Sequence, residues 1–297
     1  MSNVSQIIVR LAPVVFVVLW ATGFVAAKFG TTDAEPFTLL TIRFAITFAI
    51  LMPILLVFIR PVGVDMRQVL HSMVIGCLIQ AVYLGGVFYA IDRGMAAGIS
   101  ALIVSLQPFF TALIALYALG ERLPVPKLIL FLFALGGVLF VLFPSLDVTK
   151  AIPGINAETM TGAILSTIAI SAGAVYQKRV VTNLNLWVAT TAQFAGATLL
   201  TGLAALMFEN GHIVWTPVVV WSLAWLILVL SIGAIALLMY LIRQGDSSSV
   251  ASLFFLVPVV SMFMSWILFN EQLNLMQMAG SLLVVVSVAL ASRIKSS

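Results

Sequence analysis

The 297-residue chain is 63% hydrophobic and only 8% charged, with a mean hydropathy of +1.21. So much apolar surface exceeds what a core of this length can enclose, which excludes a water-soluble domain and makes the chain an integral membrane protein. The net charge of +4 does not signal nucleic acid, because the basic residues are dispersed among the flanks of the apolar runs and form no patch.

Ten apolar runs follow in order, at 11–30, 37–59, 69–91, 96–118, 127–144, 160–178, 187–208, 217–242, 249–270 and 275–292. Each is near the ~20 residues that a helix needs to cross the hydrocarbon. Nothing alternates with the period of two that barrel strands require, so the class expected is an all-α membrane protein of ten transmembrane helices. Segment 1 carries Trp20 and Phe24 four residues apart and ends at Lys28, which can snorkel outward. Arg10 ahead of an apolar stretch ending in small residues imitates a signal peptide, a reading that the repeat described below opposes. Segment 2 holds Arg43 inside the run, at a cost of up to ~3 kcal/mol if unpaired. It is expected to snorkel or to pair with Asp33 or Glu35, the alternative being recognition of a substrate carboxylate. Segment 3 brings Gln80 and Tyr83, three apart, and Cys77, the single cysteine, which rules out an internal disulfide and reads as a packing residue.

Segment 4 contains SLQPFF, in which a glutamine and a proline sit mid-membrane with no charged residue between Arg93 and Glu121. Ser100, Val104, Gln107 and Thr111 recur at helical spacing, so one face of this helix is polar and is expected to meet a cavity or another helix rather than lipid. Pro108 has no N–H for the Val104 carbonyl and should bend the helix; Pro258 in segment 9 should do the same. Glu121 and Glu271, just beyond segments 4 and 9, are expected to hold the turn into the next helix, with a gating role the weaker alternative.

Sliding the sequence by 150 residues superposes Gly23 on Gly173, Lys28 on Lys178, Phe44 on Phe194, Arg93 on Arg243, Pro108 on Pro258 and Glu121 on Glu271. Charges and prolines are scarce here, so the coincidences mark two copies of one unit, expected at 1–150 and 151–297. Five crossings per copy is an odd number, which inverts the second copy and predicts two inverted five-helix repeats around a central cavity, an arrangement typical of secondary transporters. With the amino terminus in the cytoplasm, Arg10, Arg60, Arg67, Arg122, Lys127, Lys178, Arg179, Arg243, Arg293 and Lys295 fall inside. Only Lys28, Arg93 and Lys150 fall outside. Both termini are therefore expected to be cytoplasmic.

The stretches WATGFVAAKFG (20–30), EPFTLLTIRF (35–44), YLGGVFYAIDRGMAAGISALIVSLQPFFTALIALYALGERL (83–123) and SSSVASLFFLVPVVSMFMSWILFNEQL (247–273) resemble the EamA-like branch of the drug/metabolite transporter superfamily. The resemblance spans the chain. It implies ten helices in two inverted units, a cavity lined mainly by segments 1, 3, 4, 6, 8 and 9, and export of small metabolites, often amino acids.

All ten acids fall in loops or at helix ends, which leaves no mid-membrane carboxylate as proton carrier or as counter-ion for a cationic drug. His71 and His212 lie near membrane flanks, where solvated roles are expected, and no spacing suggests a metal site, a catalytic pair or an ATP-binding loop. The expected function is alternating-access export of amino acids or related zwitterions across a bacterial inner membrane, by uniport or exchange. Trp20, Phe24, Lys28, Arg43, Gln80, Tyr83, Ser100, Gln107 and Thr111 are the candidate substrate contacts, with Pro108 and Pro258 as bends. The expected partners are a small-molecule substrate and the lipid bilayer, with no cofactor and no nucleic acid, in a monomer or a homodimer. A cationic drug/proton antiporter, a non-transporting receptor and an intramembrane enzyme are the competing readings.

Overall fold

The computed structural model describes residues 3–121, 123–142, 154–181, 184–235, 237, 254–271 and 274–294. Arg122, Asp147, Lys150, Arg243, Asp246, Lys295 and the first part of the ninth segment lie outside the described residues. Among the described residues, ten helical segments fall on the predicted runs: α1 Asn3–Gly30, α2 Pro36–Ile59, α3 Met66–Asp92, α4 Ala97–Leu119, α5 Val125–Leu142, α6 Ala157–Val180, α7 Leu186–Phe208, α8 Pro217–Ala234, α9 Val257–Phe269 and α10 Leu275–Arg293. Eight are long and apolar enough to cross a membrane, and the described apolar stretches of α5 and α9 are shorter.

The segment boundaries follow from local chemistry. Pro36, Pro108, Pro217 and Pro258 each sit in the first turn of a helix, where a missing N–H costs nothing. Asn156 with Thr159, and Asn274 with Gln277, form reciprocal capping boxes at the starts of α6 and α10. Helices α4 and α9 close on left-handed residues, Gly120 at φ 70° and Asn270 at φ 54°, two residue types that tolerate that conformation.

Among the described residues four of these segments depart from regular helix. In α4 the helix stops at Val104 and restarts at Gln107, with Ser105 and Leu106 donating to Leu102 and Ile103 at 3.1 Å in tighter turns. The bend expected from Pro108 is therefore a break one turn before it. The other departures are wide π-helical turns, over Leu55–Ile59 at the end of α2, Cys77–Val82 in α3 and Trp225–Ala234 in α8. Such turns rotate the following side chains out of α-helical register and are frequent at functional sites.

Helix α2 packs along α7, α3 along both α6 and α7, α4 along α9, and α5 along α10. The α3–α7 approach is close enough to require glycine. A Cβ on Gly76 would collide with the Gln193 backbone, and one on Gly196 with the backbone of Met73. One buried cluster, including Phe16, Phe24, Phe44, Phe88 and Phe194, joins α1, α2, α3, α7 and α8. A second, with Leu102, Ile103, Phe110 and Val284, joins α4, α5 and α10.

Candidate substrate cavity and its two ends

Between these clusters lies a cavity of about 550 Å³. Its walls include Trp20 and Phe24 from α1, Tyr83 from α3, Gln107, Pro108 and Thr111 from α4, Ile170 from α6, and Phe254 and Pro258 at the start of α9. Trp20, Phe16 and Phe254 form an aromatic cluster with ring centroids 5.1–5.3 Å apart, which fixes one wall. The cavity reaches Glu121, Lys127 and Ser292, at the ends of α4 and α10 and the start of α5, so it opens at that end of the bundle.

A smaller recess of about 100 Å³ adjoins it, sharing Trp20, Phe24, Ile79, Tyr83 and Ile170 as walls and adding Arg43, Gln80 and Ser231. The π turns of α3 and α8 carry Gln80 and Ser231 into it, and Tyr83 follows at the end of the first of these turns. A larger open groove of about 870 Å³, lined by α3, α6 and α7 with Phe37, contains none of the predicted contacts.

Of the predicted contacts, Trp20, Phe24, Tyr83, Gln107 and Thr111 line the main cavity; Arg43 and Gln80 line the recess. Ser100 lines neither: it is fully buried, and from the first half of α4 Ala101 and Val104 take the cavity-facing positions. Lys28 is also outside, at the end of α1.

Arg43 corrects the expectation that an acid near the start of its helix neutralises it. It is 5% exposed, its Nε donates to Ser231 Oγ at 3.1 Å, and its guanidinium lies 5.5 Å from the Phe44 ring centre. Asp33 is engaged with Thr216 Oγ1 at 3.1 Å, and Glu35 accepts the backbone N–H groups of Asn210 and His212. The physical reason is reach. Arg43 is seven residues beyond Pro36, roughly 10 Å along the helix, and faces the bundle interior while the acids turn to the α7–α8 loop.

The two acids that follow α4 and α9 do more than hold turns. Lys28 Nζ donates to Glu271 Oε1, and Lys178 Nζ donates to Glu121 Oε1 at 2.6 Å. These four residues are two pairs at the 150-residue offset, and each lysine takes the glutamate of the other half. Successive crossings place the pairs at opposite ends of the bundle. At the Lys28 end, Glu209 also accepts the N–H groups of Phe37 and Thr38 at 2.8 and 2.7 Å, capping the free amides of α2. Tyr89 and Arg93 join Glu158 on the same side. At the Lys178 end, His71 Nδ1 meets the Tyr176 hydroxyl at 2.7 Å, so this histidine has a protein partner where solvent was expected.

Ser231, Phe254 and the lysine–glutamate pairing escaped sequence reasoning. Only the last left a signal: the same cation and anion recur in both halves at one offset.

A helical bundle with many apolar segments, enclosing a mainly apolar cavity with a few amide and hydroxyl groups that opens at one end, is the architecture of a membrane transporter. The chain belongs to the EamA-like transporter family, whose model matches it twice, over residues 8–143 and 159–293. It is 27% identical over 283 residues to a probable amino-acid metabolite efflux pump of Escherichia coli strain K12, covering 91% of this chain and 89% of that protein. It is 23% identical over 295 residues to an uncharacterized transporter of Archaeoglobus fulgidus, covering 93% and 96%. A crystal structure superposes with a TM-score of 0.64 at 20% identity over 98% of this chain and 97% of its own, a likeness of fold.

Proposed function

We propose that this chain exports small metabolites, with amino acids or related zwitterions the favoured cargo, across a bacterial inner membrane by alternating access. The relative named as an amino-acid metabolite efflux pump supports the cargo class, as do aromatic walls interspersed with amide and hydroxyl groups. In this reading residues 1–150 and 151–297 are inverted copies, both termini are cytoplasmic, the Lys28–Glu271 end is periplasmic and the cavity opens inward.

The observation that carries the mechanism is the partner exchange between the halves. One ion pair ties α1 to the end of α9 and the other ties α6 to the end of α4; both are formed in this state, so conversion to the mirror state requires the Lys28–Glu271 end to part while the open end closes around the Lys178–Glu121 tie already in place. Neither the main cavity nor the recess has a carboxylate in its depths among the described residues; Glu121 lies at the mouth, paired with Lys178. Substrate therefore equilibrates by uniport or exchange with no obligatory proton partner.

Counterflow in proteoliposomes, across amino acids, nucleosides, sugars and organic cations, tests this. Flux of a zwitterion should persist with protonophore present and no pH gradient. Absence of flux for every class, or flux abolished by protonophore, contradicts the reading.

A further inference from the structure

Arg43 is a cation held in the membrane interior, at a depth where it is normally neutralised by a carboxylate or turned to water. It is 5% exposed, and among the described residues no carboxylate pairs with it and no group accepts from its terminal nitrogens. Its Nε is fixed by Ser231, whose own hydroxyl donates to the Leu226 carbonyl at 3.0 Å, so the guanidinium is oriented with its outer N–H groups left over. Arg43 lines the recess. Tyr83 and Gln80, two more donor-bearing residues, line the same space, and neither side chain has a hydrogen-bond partner among the described residues. An oriented guanidinium edge, a phenol and an amide around about 100 Å³ form a donor set without acceptors of matching charge.

We propose that the recess binds the carboxylate of the transported solute, and that this group alone is read by charge. The planar guanidinium fork matches two carboxylate oxygens, and Tyr83 and Gln80 supply donors to the remaining lone pairs. The rest of the solute lies in the larger cavity against Trp20, Phe24 and Phe254, where among the described residues no acid in the depths recognises an ammonium group. A substrate amine is therefore optional. The class accepted is small apolar carboxylates, with or without an α-amine, and amidation of the carboxylate, not acylation of the amine, excludes a compound. This rests on the transporter reading, and it narrows the cargo from zwitterions to carboxylates.

The test has a binding arm and a transport arm. In the first, the melting temperature of the purified protein in detergent is measured with L-leucine, N-acetyl-L-leucine, isobutyrate, L-leucinamide and isobutyramide. The carboxylates should raise it, N-acetyl-L-leucine as much as L-leucine, and the amides should not. Arg43→Gln should abolish the difference. Should that variant fail to fold, Arg43→Lys and Tyr83→Phe serve, each with an apparent carboxylate affinity lowered roughly tenfold. Equal shifts from acids and amides, a preference for acids that survives Arg43→Gln, or unchanged affinity in both substitute variants overturns the proposal. In the second arm, counterflow of the same compounds is followed in proteoliposomes. Carboxylates that bind but do not move would overturn the transport reading and leave the carboxylate site standing. Flux indifferent to amidation would overturn the site and leave transport standing.

Discussion

At one end of the bundle Lys28 lies 4.4 Å from the centre of the Phe269 ring, which packs at 4.9 Å against Phe29, and the side chains of its ion pair with Glu271 are 32% and 16% exposed. At the other end the equivalent pair, Lys178 with Glu121, is 69% and 34% exposed, and the positions matching Phe29 and Phe269 are Arg179 and Leu119. The chemistry of the bond is the same and its dielectric surroundings differ. A water-exposed pair contributes about 0–1 kcal/mol, whereas a shielded one interacts more strongly and leaves a costly unpaired charge when broken. Glu271 Oε2 is already buried without a hydrogen-bond partner among the described residues, which raises the cost of losing the lysine. The aromatic cover, more than the ion pair, therefore sets which end stays shut, and the cavity accordingly opens beside Glu121.

The largest expected effect comes from breaking the shielded pair. Lys28→Ala should lower counterflow about tenfold, roughly 1.4 kcal/mol, since a partly shielded pair is worth more than the ~0–1 kcal/mol of an exposed one. Lys178→Ala should change flux by less than about threefold. Equal losses would show that aromatic cover is irrelevant. Next is the clasp at the covered end: Glu209→Ala leaves amides of α2 without an acceptor and should destabilise the protein by about 1–3 kcal/mol in thermal unfolding. The more exposed Glu35→Ala should cost about 1 kcal/mol or less. Transferring the cover sharpens the comparison, because Leu119→Phe with Arg179→Phe should close the open end more firmly and slow counterflow several-fold, about 1 kcal/mol of added barrier. Gln107→Ala should reduce flux while leaving the melting temperature nearly unchanged, because a residue of the cavity wall can exchange its contacts for water. A loss of stability with normal flux would make it interhelical glue.

The smallest effect is at Asp65, the exposed cap of α3 at the open end. Hydrogen bonds from the Gln68 side chain and the Arg67 N–H hold its carboxyl below the usual range. Its folded value lies under the unfolded one of about 3.9, so the cap stabilises above about pH 4 and is lost as pH falls through the lowered value. Asp65→Asn should remove that acid-side decline from the melting curve.

The helices were legible because bilayer thickness imposes a length on apolar runs, and Gln107, Tyr83 and Trp20 could be placed at a cavity because polar and aromatic groups recur at helical spacing. Arg43 was legible as costly but not in its partner. Sequence distance favoured Asp33 and Glu35, whereas helix rise separates them from it and the π turn of α8 brings Ser231 instead. Ser100 was misplaced in the same way, since the break at Ser105–Leu106 and the burial of the preceding half of α4 decide which edge meets the cavity. The π turns themselves leave no compositional mark.

The measurement that bears most directly on the account is the pair of distances across the two ends. Nitroxides can be placed at Thr32 and Leu275 for the covered end, and at Tyr117 and Arg179 for the open one, in a Cys77→Ala background. Pulsed dipolar spectroscopy then compares wild type, Lys28→Ala and Lys178→Ala. The account predicts a short covered-end distance in wild type that lengthens in Lys28→Ala as the open end narrows, with Lys178→Ala indistinguishable from wild type. Equal displacement in both variants, or a covered end that stays short without Lys28, would contradict it.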